Sequence, residues 1–241
     1  MRQIIFVKYN RTRAEKFQLK TVIACQDGGL SVEKTALTEE GQAHILSFGE
    51  KYEKMKDLNP GICFLKPEFL SGGKTVRFPY LTGKTIGDVL GEEIRMGEVP
   101  YQALREAMAL VFPEDFGEGR DENVRESFVP GEAFRSVFGE IPPMTDRVVS
   151  VSNVDGLFEN LMVSDGVVYG IDYEWVFDFP IPARFLHFRN LLYFYRRYEK
   201  ILTAGQEEIF EAFGIGNEEQ QVFFSMEEHF QSYVHGEGRF Q

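Results

Sequence analysis

Apolar runs separated by polar turns fill the first third of the chain and predict β-strands. The first three runs are Ile4–Tyr9, Phe17–Cys25 and Leu30–Lys34. Two more, Ile62–Pro67 and Thr75–Leu81, flank a turn at residues 71–73. β-Branched and aromatic residues favour strands, and Asp-Gly or Gly-Gly pairs favour tight turns. The pattern therefore predicts five antiparallel strands in one sheet.

A helical period separates the third strand from the fourth. Thr38 can cap a helix over residues 38–55, and lysines near its end suit the helix dipole. Ala43, Leu46, Glu50 and Glu53 recur at spacings of three and four, which predicts that Glu50 lies on the apolar face. Further helices are predicted at residues 101–112, 132–138, 184–198, 207–213 and 218–234.

These elements predict an α+β fold in two lobes. A five-stranded antiparallel sheet with one helix forms the N-terminal lobe, residues 1–82, and a mainly helical C-terminal lobe follows over residues 83–241.

Composition narrows the classes of partner. Of the 241 residues, 43% are hydrophobic, with 23 Phe and 10 Tyr, as in a globular protein with a sizeable core. The formal net charge of −12 argues against nucleic acid and anionic lipid as partners. Cys25 and Cys63 lie far apart in apolar runs, as buried thiols do, which fits a reducing compartment. With neither a membrane-spanning run nor a signal-peptide pattern, the sequence predicts a cytoplasmic protein.

The most informative stretch runs from residue 148 to residue 177. Val148–Val151 is a short β-branched run, and Asp155 and Asn160 follow it. Two apolar runs around Ser164-Asp165-Gly166 then predict a hairpin that ends at Asp172. A strand, a loop and a hairpin in this order would bring three oxygen-bearing side chains to one edge.

The spacing of these residues matches that of the protein-kinase plan. There, a loop Asp accepts the proton of the substrate hydroxyl, an Asn five residues later binds one metal ion, and an Asp after the next hairpin binds the other. Asp155 is the candidate base, and Asn160 and Asp172 are candidate Mg²⁺ ligands, since Mg²⁺ prefers carboxylate and amide oxygens. Asn153 stands where such kinases usually have His. Loop Asp and Asn residues also commonly cap turns, which is the structural alternative.

Three strands followed by a helix is also how a kinase-like N-terminal lobe begins. Lys34, on the third strand, is the candidate phosphate-binding lysine. Glu50 is the candidate carboxylate that positions Lys34, with Glu53 as the alternative.

The remaining candidates in the N-terminal lobe would contact the nucleotide. The first hairpin has no glycine, so its backbone N–H groups, or Arg11 and Arg13, would contact phosphate. In kinase-like folds the backbone at the end of the fifth strand, here a residue such as Phe78, Pro79, Tyr80 or Leu81, meets the adenine edge; Tyr80 and Leu81 are the candidates.

Several segments together resemble a known family. FVKYNRTRAEKFQLKTVI, VEKTALTEEGQAHI, FRSVFGE and, most specifically, VSNVDGLFENLMV with GIDYEWVFDFPIP are similar to the kinase-like domains of bacterial surface-polysaccharide (O-antigen) biosynthesis proteins. That family includes the kinase part of the O-antigen chain-terminating methyltransferase–kinase, and more distantly the plan resembles aminoglycoside and choline phosphotransferases. The resemblance implies a two-lobed kinase-like fold, ATP with Mg²⁺, a sugar or glycan acceptor, and a glycosyltransferase or methyltransferase partner. Asn153 is then a trait of the family.

Two functions follow as hypotheses. The first is an ATP- and Mg²⁺-dependent phosphotransferase that acts on a hydroxyl of a sugar or glycan terminus. The second is a non-catalytic kinase-like module that tethers or regulates polysaccharide-synthesis enzymes. The glycine-free hairpin and the absence of an activation segment favour the second, whereas the presence together of Lys34, Asp155, Asn160 and Asp172 favours the first.

Overall fold

The computed structural model describes residues 1–117 and 126–236. Contacts between Cα atoms divide the chain into two compact units. The first contains Met1–Leu58, Phe64–Thr82 and the C-terminal residues from Phe230, and the second contains Asn59–Cys63 and Gly83–His229. The main boundary therefore lies at residues 82 and 83, but the end of the chain returns to the first unit.

In chain order, the strands are β1 (Arg2–Tyr9), β2 (Leu19–Gln26), β3 (Gly29–Ala36), β4 (Cys63–Phe64), β5 (Glu68–Leu70), β6 (Thr75–Pro79), β7 (Lys84–Thr85), β8 (Glu126–Phe128), β9 (Met144–Asp146), β10 (Val148–Val149), β11 (Ser152–Asn153), β12 (Leu161–Ser164), β13 (Val167–Gly170), β14 (Val176–Phe177) and β15 (Ile181–Pro182). The helices are α1 (Gly41–Met55), α2 (Ile86–Glu93), α3 (Tyr101–Val111), α4 (Pro113–Phe116), α5 (Glu132–Phe138), α6 (Ala183–Tyr198), α7 (Gln206–Ala212) and α8 (Asn217–His235). Three short 3₁₀ turns lie at Glu15–Phe17, Ser71–Gly73 and Phe158–Asn160.

The first unit contains the expected five-stranded antiparallel sheet, in the order β1-β2-β3-β6-β5. Asp27 and Gly28 both have positive φ angles (52° and 85°), so two residues close the β2–β3 hairpin, as an Asp-Gly pair favours. One strand prediction was wrong, because the fifth strand is β5 and not Ile62–Pro67. β4, which begins at Cys63, instead borders β13 in a different sheet. The prediction failed because an apolar run does not specify its hydrogen-bonding partner.

Helix α1 covers one face of this sheet, but with a different side from the one predicted. Its buried residues include His44, Ile45 and Phe48, whereas Leu46 is 50% exposed. Thr38 accepts a hydrogen bond from the Gly41 N–H (3.0 Å), but the helix begins at Gly41 and the residue at its N-cap position is Glu40, not Thr38. The buried face of α1 is therefore rotated by about one residue position from the predicted face. Both faces carry apolar residues, and packing against the sheet decides which of them is buried.

The core of the second unit is built around α6. Phe185, Phe188, Leu191, Leu192 and Phe194 are each fully buried. The helix is thus buried on nearly every side, as expected of a helix that is apolar almost all round. Rings of α7 and α8 pack on it, with Phe210 and Phe223 centroids 4.8 and 5.5 Å from that of Phe188.

A four-stranded sheet, ordered β4-β13-β12-β7, and three two-stranded ladders complete the fold of the described residues. Asp165 and Gly166, both at positive φ, close the predicted β12–β13 hairpin. The ladder β11–β14 pairs Asn153 with Val176, and the ladder β10–β15 pairs Val149 with Ile181. The α+β fold class, with an antiparallel N-terminal sheet and a mainly helical C-terminal part, is confirmed. Within residues 1–117 and 126–236, no helix is long and apolar enough to cross a membrane.

Candidate active site

Asn153 connects two distant parts of the stretch at residues 148–177 that the sequence analysis singled out. Its amide nitrogen donates to the carbonyl oxygen of Asp172 (3.2 Å), and its amide oxygen accepts from the Asp155 N–H (3.1 Å). The Val154 N–H also donates to the Trp175 carbonyl oxygen (2.9 Å). One side chain therefore holds the backbones of Asp155 and Asp172 together. In the sequence, Asn153 stands out as a departure from His and as a trait of the resembled family, but nothing there indicates this role.

Asn160 is held in the same loop. Its side-chain amide nitrogen donates to the backbone carbonyl oxygen of Asp155 (3.0 Å), and its backbone carbonyl oxygen accepts from the Ile171 N–H (2.9 Å). The side chains of Asp155, Asn160 and Asp172 are all half-buried. The structure thus brings these three predicted residues into one hydrogen-bonded group, in which every one of these bonds involves a backbone atom.

The donor atoms in this group suit Mg²⁺. The amide nitrogen of Asn160 is engaged with Asp155, so its side-chain oxygen and the Asp172 carboxylate are the groups that could coordinate a metal ion. The part of the chain that the structure describes contains no group of three or more His, Cys, Asp or Glu side chains that could hold a metal ion. A site built on one Asp and one Asn therefore depends on oxygens from a ligand, as nucleotide-bound Mg²⁺ sites usually do.

Two consecutive residues of α6 hold the loop from behind. Asn190 accepts from the Phe158 N–H (3.1 Å) and donates to the Gly156 carbonyl oxygen (3.1 Å). Arg189 donates to the Val154 carbonyl oxygen and forms a buried ion pair with Glu227 (2.7 Å). Neither residue was identified from the sequence, where they lie within an apolar helical pattern and carry no motif.

Lys34 lies in the first unit, on β3, and is 6% exposed. Its Nζ is 5.7 Å from the centroid of the Phe48 ring, on the face of the sheet that α1 covers. An ammonium group over an aromatic face is attracted by the ring quadrupole. Lys34 is therefore a buried cation that faces inward, and not a solvated strand residue.

The expected pairing of Glu50 with Lys34 does not occur. Glu50 is 70% exposed and pairs with Lys54 on the same helix (2.5 Å), and the alternative, Glu53, is 60% exposed and pairs with Lys56 (2.6 Å). The reason is the displaced apolar face of α1, which presents Phe48 to Lys34 and turns both glutamates towards solvent. Helical spacing alone could not distinguish these faces.

The hairpin loop that carries Arg11 and Arg13 is held in place. Gln18 donates across it to the carbonyl oxygens of Arg11 (3.3 Å) and Arg13 (2.9 Å). The Arg11 guanidinium is exposed and lies 5.0 Å from the Tyr9 ring centroid, and Arg13 is half-buried. These contacts define the backbone of the loop, so it does not need glycines to adopt its conformation.

The last turn of α8 also belongs to the first unit and contacts this loop. The Ala14 N–H donates to the Val234 carbonyl oxygen (2.9 Å), and His235 donates to the Thr12 carbonyl oxygen (3.1 Å). The rings of Tyr233 and Phe17 are 5.2 Å apart. The C-terminal turn of the last helix thus anchors the loop, which the sequence did not indicate.

Tyr80 and Leu81 directly follow β6. The Tyr80 N–H donates to the Leu30 carbonyl oxygen (3.2 Å), and its side chain is 38% exposed. The first of these backbone donors is therefore engaged within the sheet, which makes Leu81 the better placed of the two to contact a ligand through its backbone.

An apolar row that sequence reasoning missed crosses the same sheet. The register places Phe6 beside Ile23, Ile23 beside Val32, and Val32 beside Phe78. Because side chains alternate along a strand, Val32 points to the same face as Lys34, two residues on. Ile23 and Val32 are partly exposed, and Phe6 is 47% exposed. The sheet therefore presents a flat apolar strip beside a buried cation.

Comparisons with known proteins concern the fold. No family model and no curated protein matches the chain. Among solved structures, it is similar to a macrolide 2′-phosphotransferase from Brachybacterium faecium, with 12% identity, a TM-score of 0.44, and coverage of 96% of this chain and 88% of that one. It is also similar to a choline kinase from Streptococcus pneumoniae, with 14% identity, a TM-score of 0.46, and coverage of 96% and 84%. A spectinomycin phosphotransferase matches with 15% identity, a TM-score of 0.37, and coverage of 96% and 88%.

Proposed function

We propose that this protein is an ATP- and Mg²⁺-dependent phosphotransferase that acts on a hydroxyl of a sugar or glycan terminus in cell-surface polysaccharide biosynthesis. The observation that carries the proposal is the hydrogen-bonded group of Asp155, Asn160 and Asp172, held together by Asn153. The acceptor class rests on the sequence resemblance to kinase-like domains of polysaccharide clusters.

In this proposal each residue of the second unit has one task. Asp155 orients the acceptor hydroxyl and accepts its proton. Asn160 and Asp172 hold Mg²⁺, which when bound would neutralise phosphate charge that an acidic protein otherwise repels.

The first unit would hold the nucleotide. Lys34 would contact the phosphates. A nucleobase would lie against the apolar strip of Ile23 and Val32, with a backbone group of Leu81, or of Tyr80, at its edge. Arg11 and Arg13 would approach the phosphates from the anchored hairpin loop.

One observation favours the second candidate function, a non-catalytic module that tethers a glycosyltransferase or methyltransferase. Glu50 pairs with Lys54 and not with Lys34, so the ion pair that positions the lysine in active protein kinases is missing. Such a module could still bind a nucleotide. Binding and transfer must therefore be measured separately.

Binding is tested first, by thermal shift with ATP in the presence and absence of Mg²⁺. ATP at a hundredfold excess over Kd should stabilise the wild type by about 2.7 kcal/mol. We expect Asp172→Asn to lose the Mg²⁺-dependent part of the shift. Asp165→Asn is the matched control. Asp165 lies in the exposed turn of the same hairpin, and its substitution changes the charge by the same amount as Asp172→Asn does. Absence of any nucleotide shift in the wild type would contradict the proposal.

Transfer is tested next, with γ-labelled ATP and a panel of glycans and glycan-terminated lipids. Asp155→Asn should reduce transfer by at least about 100-fold, the range typical of a lost general base, while the ATP-induced shift stays close to that of the wild type. Full transfer by Asp155→Asn would refute its role. Mg²⁺-ATP binding without transfer to any acceptor would support the tethering module instead.

A further inference from the structure

The buried ion pair between α6 and α8 is the strongest unexplained feature of the second unit. Arg189 is 2% exposed and Glu227 is 3% exposed, and they meet at 2.7 Å. The Tyr193 hydroxyl donates to the second carboxylate oxygen of Glu227 (2.7 Å). A buried pair of this kind often contributes nothing net to stability, because desolvation of the two charges offsets their attraction. Its presence in the core therefore points to a role other than stability.

The second contact of the guanidinium indicates that role. Arg189 also donates to the carbonyl oxygen of Val154, the residue before Asp155. That carbonyl belongs to the peptide group that ends at the nitrogen of Asp155, so its direction sets the orientation of the Asp155 backbone. Asn190 holds the Gly156 carbonyl and the Phe158 N–H on the other side. Two successive residues of one rigid helix thus hold backbone groups before and after Asp155.

The electrostatic interactions of Arg189 favour the same role as its hydrogen bonds do. Burial alone would lower the pKa of the Arg189 guanidinium, but the carboxylates of Glu227 and Asp155 outweigh burial and raise that pKa. Arg189 therefore places a positive charge directly behind the loop.

We propose that Arg189, held by Glu227, is a positioning residue for the phosphoryl transfer, which it serves by fixing the Val154–Asp155 peptide group. This inference rests on the proposed function, since it assigns a purpose to the orientation of Asp155. Arg189 is 2% exposed and would act through the Val154–Asp155 peptide group and not by direct contact with a substrate. Misplacing a catalytic group by about 1 Å can cost about 100-fold in rate, so the contact is large enough to matter.

The key variant is Arg189→Met/Glu227→Met, which removes both charges and leaves no orphaned ion in the core. Replacing a buried ion pair by apolar residues of similar size is often tolerated, so the double variant should fold. We expect its kcat to fall by about 100-fold while its KM for ATP stays within about threefold, because the loop and not the nucleotide site has changed. Arg189→Lys, which keeps the charge but offers a single ammonium group, should recover part of the loss.

Arg196→Met is the matched control. Arg196 lies on the same helix and its guanidinium is 5.5 Å from the same Tyr193 ring, but it is exposed. Its kcat should equal that of the wild type. A folded double variant with kcat within threefold of the wild-type value would overturn the proposal. If the double variant does not fold, a kcat of Arg189→Lys equal to wild type would overturn it as well.

A readout that needs no activity separates this inference from the proposed function. The N–H groups of Asp155, Gly156 and Phe158 are hydrogen-bonded in the wild type. Their hydrogen exchange should accelerate at least tenfold in the double variant, while exchange within α6 stays unchanged. If the wild type transfers no phosphate, the proposed function is refuted but the positioning of the loop by Arg189 is not. Hydrogen exchange of the three N–H groups that is unchanged in the double variant would refute the positioning by Arg189.

Discussion

Two carboxylates that bind the same arginine should differ several-fold in their effect on stability. Arg147 bonds Glu114 (2.6 Å) and Asp115 (2.7 Å from its Nε, with a second bond from its Nη2). Glu114 is 73% exposed, whereas Asp115 and Arg147 are each 17% exposed. Asp115 also bonds the buried His187 at 3.0 Å. The similar distances and different burial make this pair a direct test of whether burial determines the energy.

The magnitude follows from what each substitution leaves behind. Asp115→Ala removes three hydrogen bonds and leaves a largely buried guanidinium without its main partner, for which a cost of about 3–5 kcal/mol is expected. Glu114→Ala removes one solvent-screened contact and should cost less than about 1 kcal/mol. In thermal terms, the first change should lower Tm by about 6–20 °C at about 2–4 °C per kcal/mol.

Urea denaturation, followed by the fluorescence of Trp175, measures the effect. Trp175 is the single tryptophan and is 5% exposed, so its signal reports unfolding of the second unit.

Burial would raise the pKa of the Asp115 carboxyl, but its bonds to Arg147 and His187 prevail and lower it. A lowered pKa gives stability that is fully present above about pH 4 and is lost as pH falls further, so the full cost of Asp115→Ala should be measured at pH 7. Costs of Asp115→Ala and Glu114→Ala within 0.5 kcal/mol of each other would refute the reasoning.

Three further variants test other parts of the structure. Burial raises the pKa of Asp146 to about 6. Because the folded state then binds the proton more tightly, its contribution to stability should grow by about 1 kcal/mol as pH falls from 7 to 5, and urea titrations of Asp146→Ala should lack that increment. Gly91→Ala would place a methyl group against the hydroxyl and ring of Tyr198; about 1–3 kcal/mol of destabilisation is expected in urea, and a cost below 0.5 kcal/mol would contradict this packing. Tyr233→Ala removes the ring that packs on Phe17, so hydrogen exchange at Ala14 should accelerate, and unchanged exchange would show that the loop does not depend on α8.

Local sequence signals determined most of the secondary structure. The Asp27-Gly28 and Asp165-Gly166 pairs specify tight turns by their tolerance of positive φ, and both hairpins form where expected. The helix at Glu132–Phe138 has the predicted bounds, and α6 is buried as its apolar composition required. These features depend on residues close together in the chain, so short windows of sequence contain the necessary information.

The grouping of Asp155, Asn160 and Asp172 was also accessible from sequence, because a loop and one hairpin connect all three. The side chains that support them were not. Arg189 and Glu227 lie 38 residues apart, and nothing in either helical pattern marks them as partners. Asn153 was visible, yet its hydrogen bonds to both ends of the stretch depend on the β11–β14 pairing.

Only the tertiary structure decided which faces and edges meet. A shift of one position turned Glu50 to solvent and placed Phe48 beside Lys34, and a three-residue strand at Glu68–Leu70 took the sheet edge predicted for residues 62–67. The physical reason is the same in each case. The periodicity of apolar residues predicts that a helix has an apolar side and that an apolar segment can form a strand. The free energy of burying them depends on the surface against which they pack. That surface comes from residues distant in the chain, as when the last turn of α8 returns to hold the loop that follows β1.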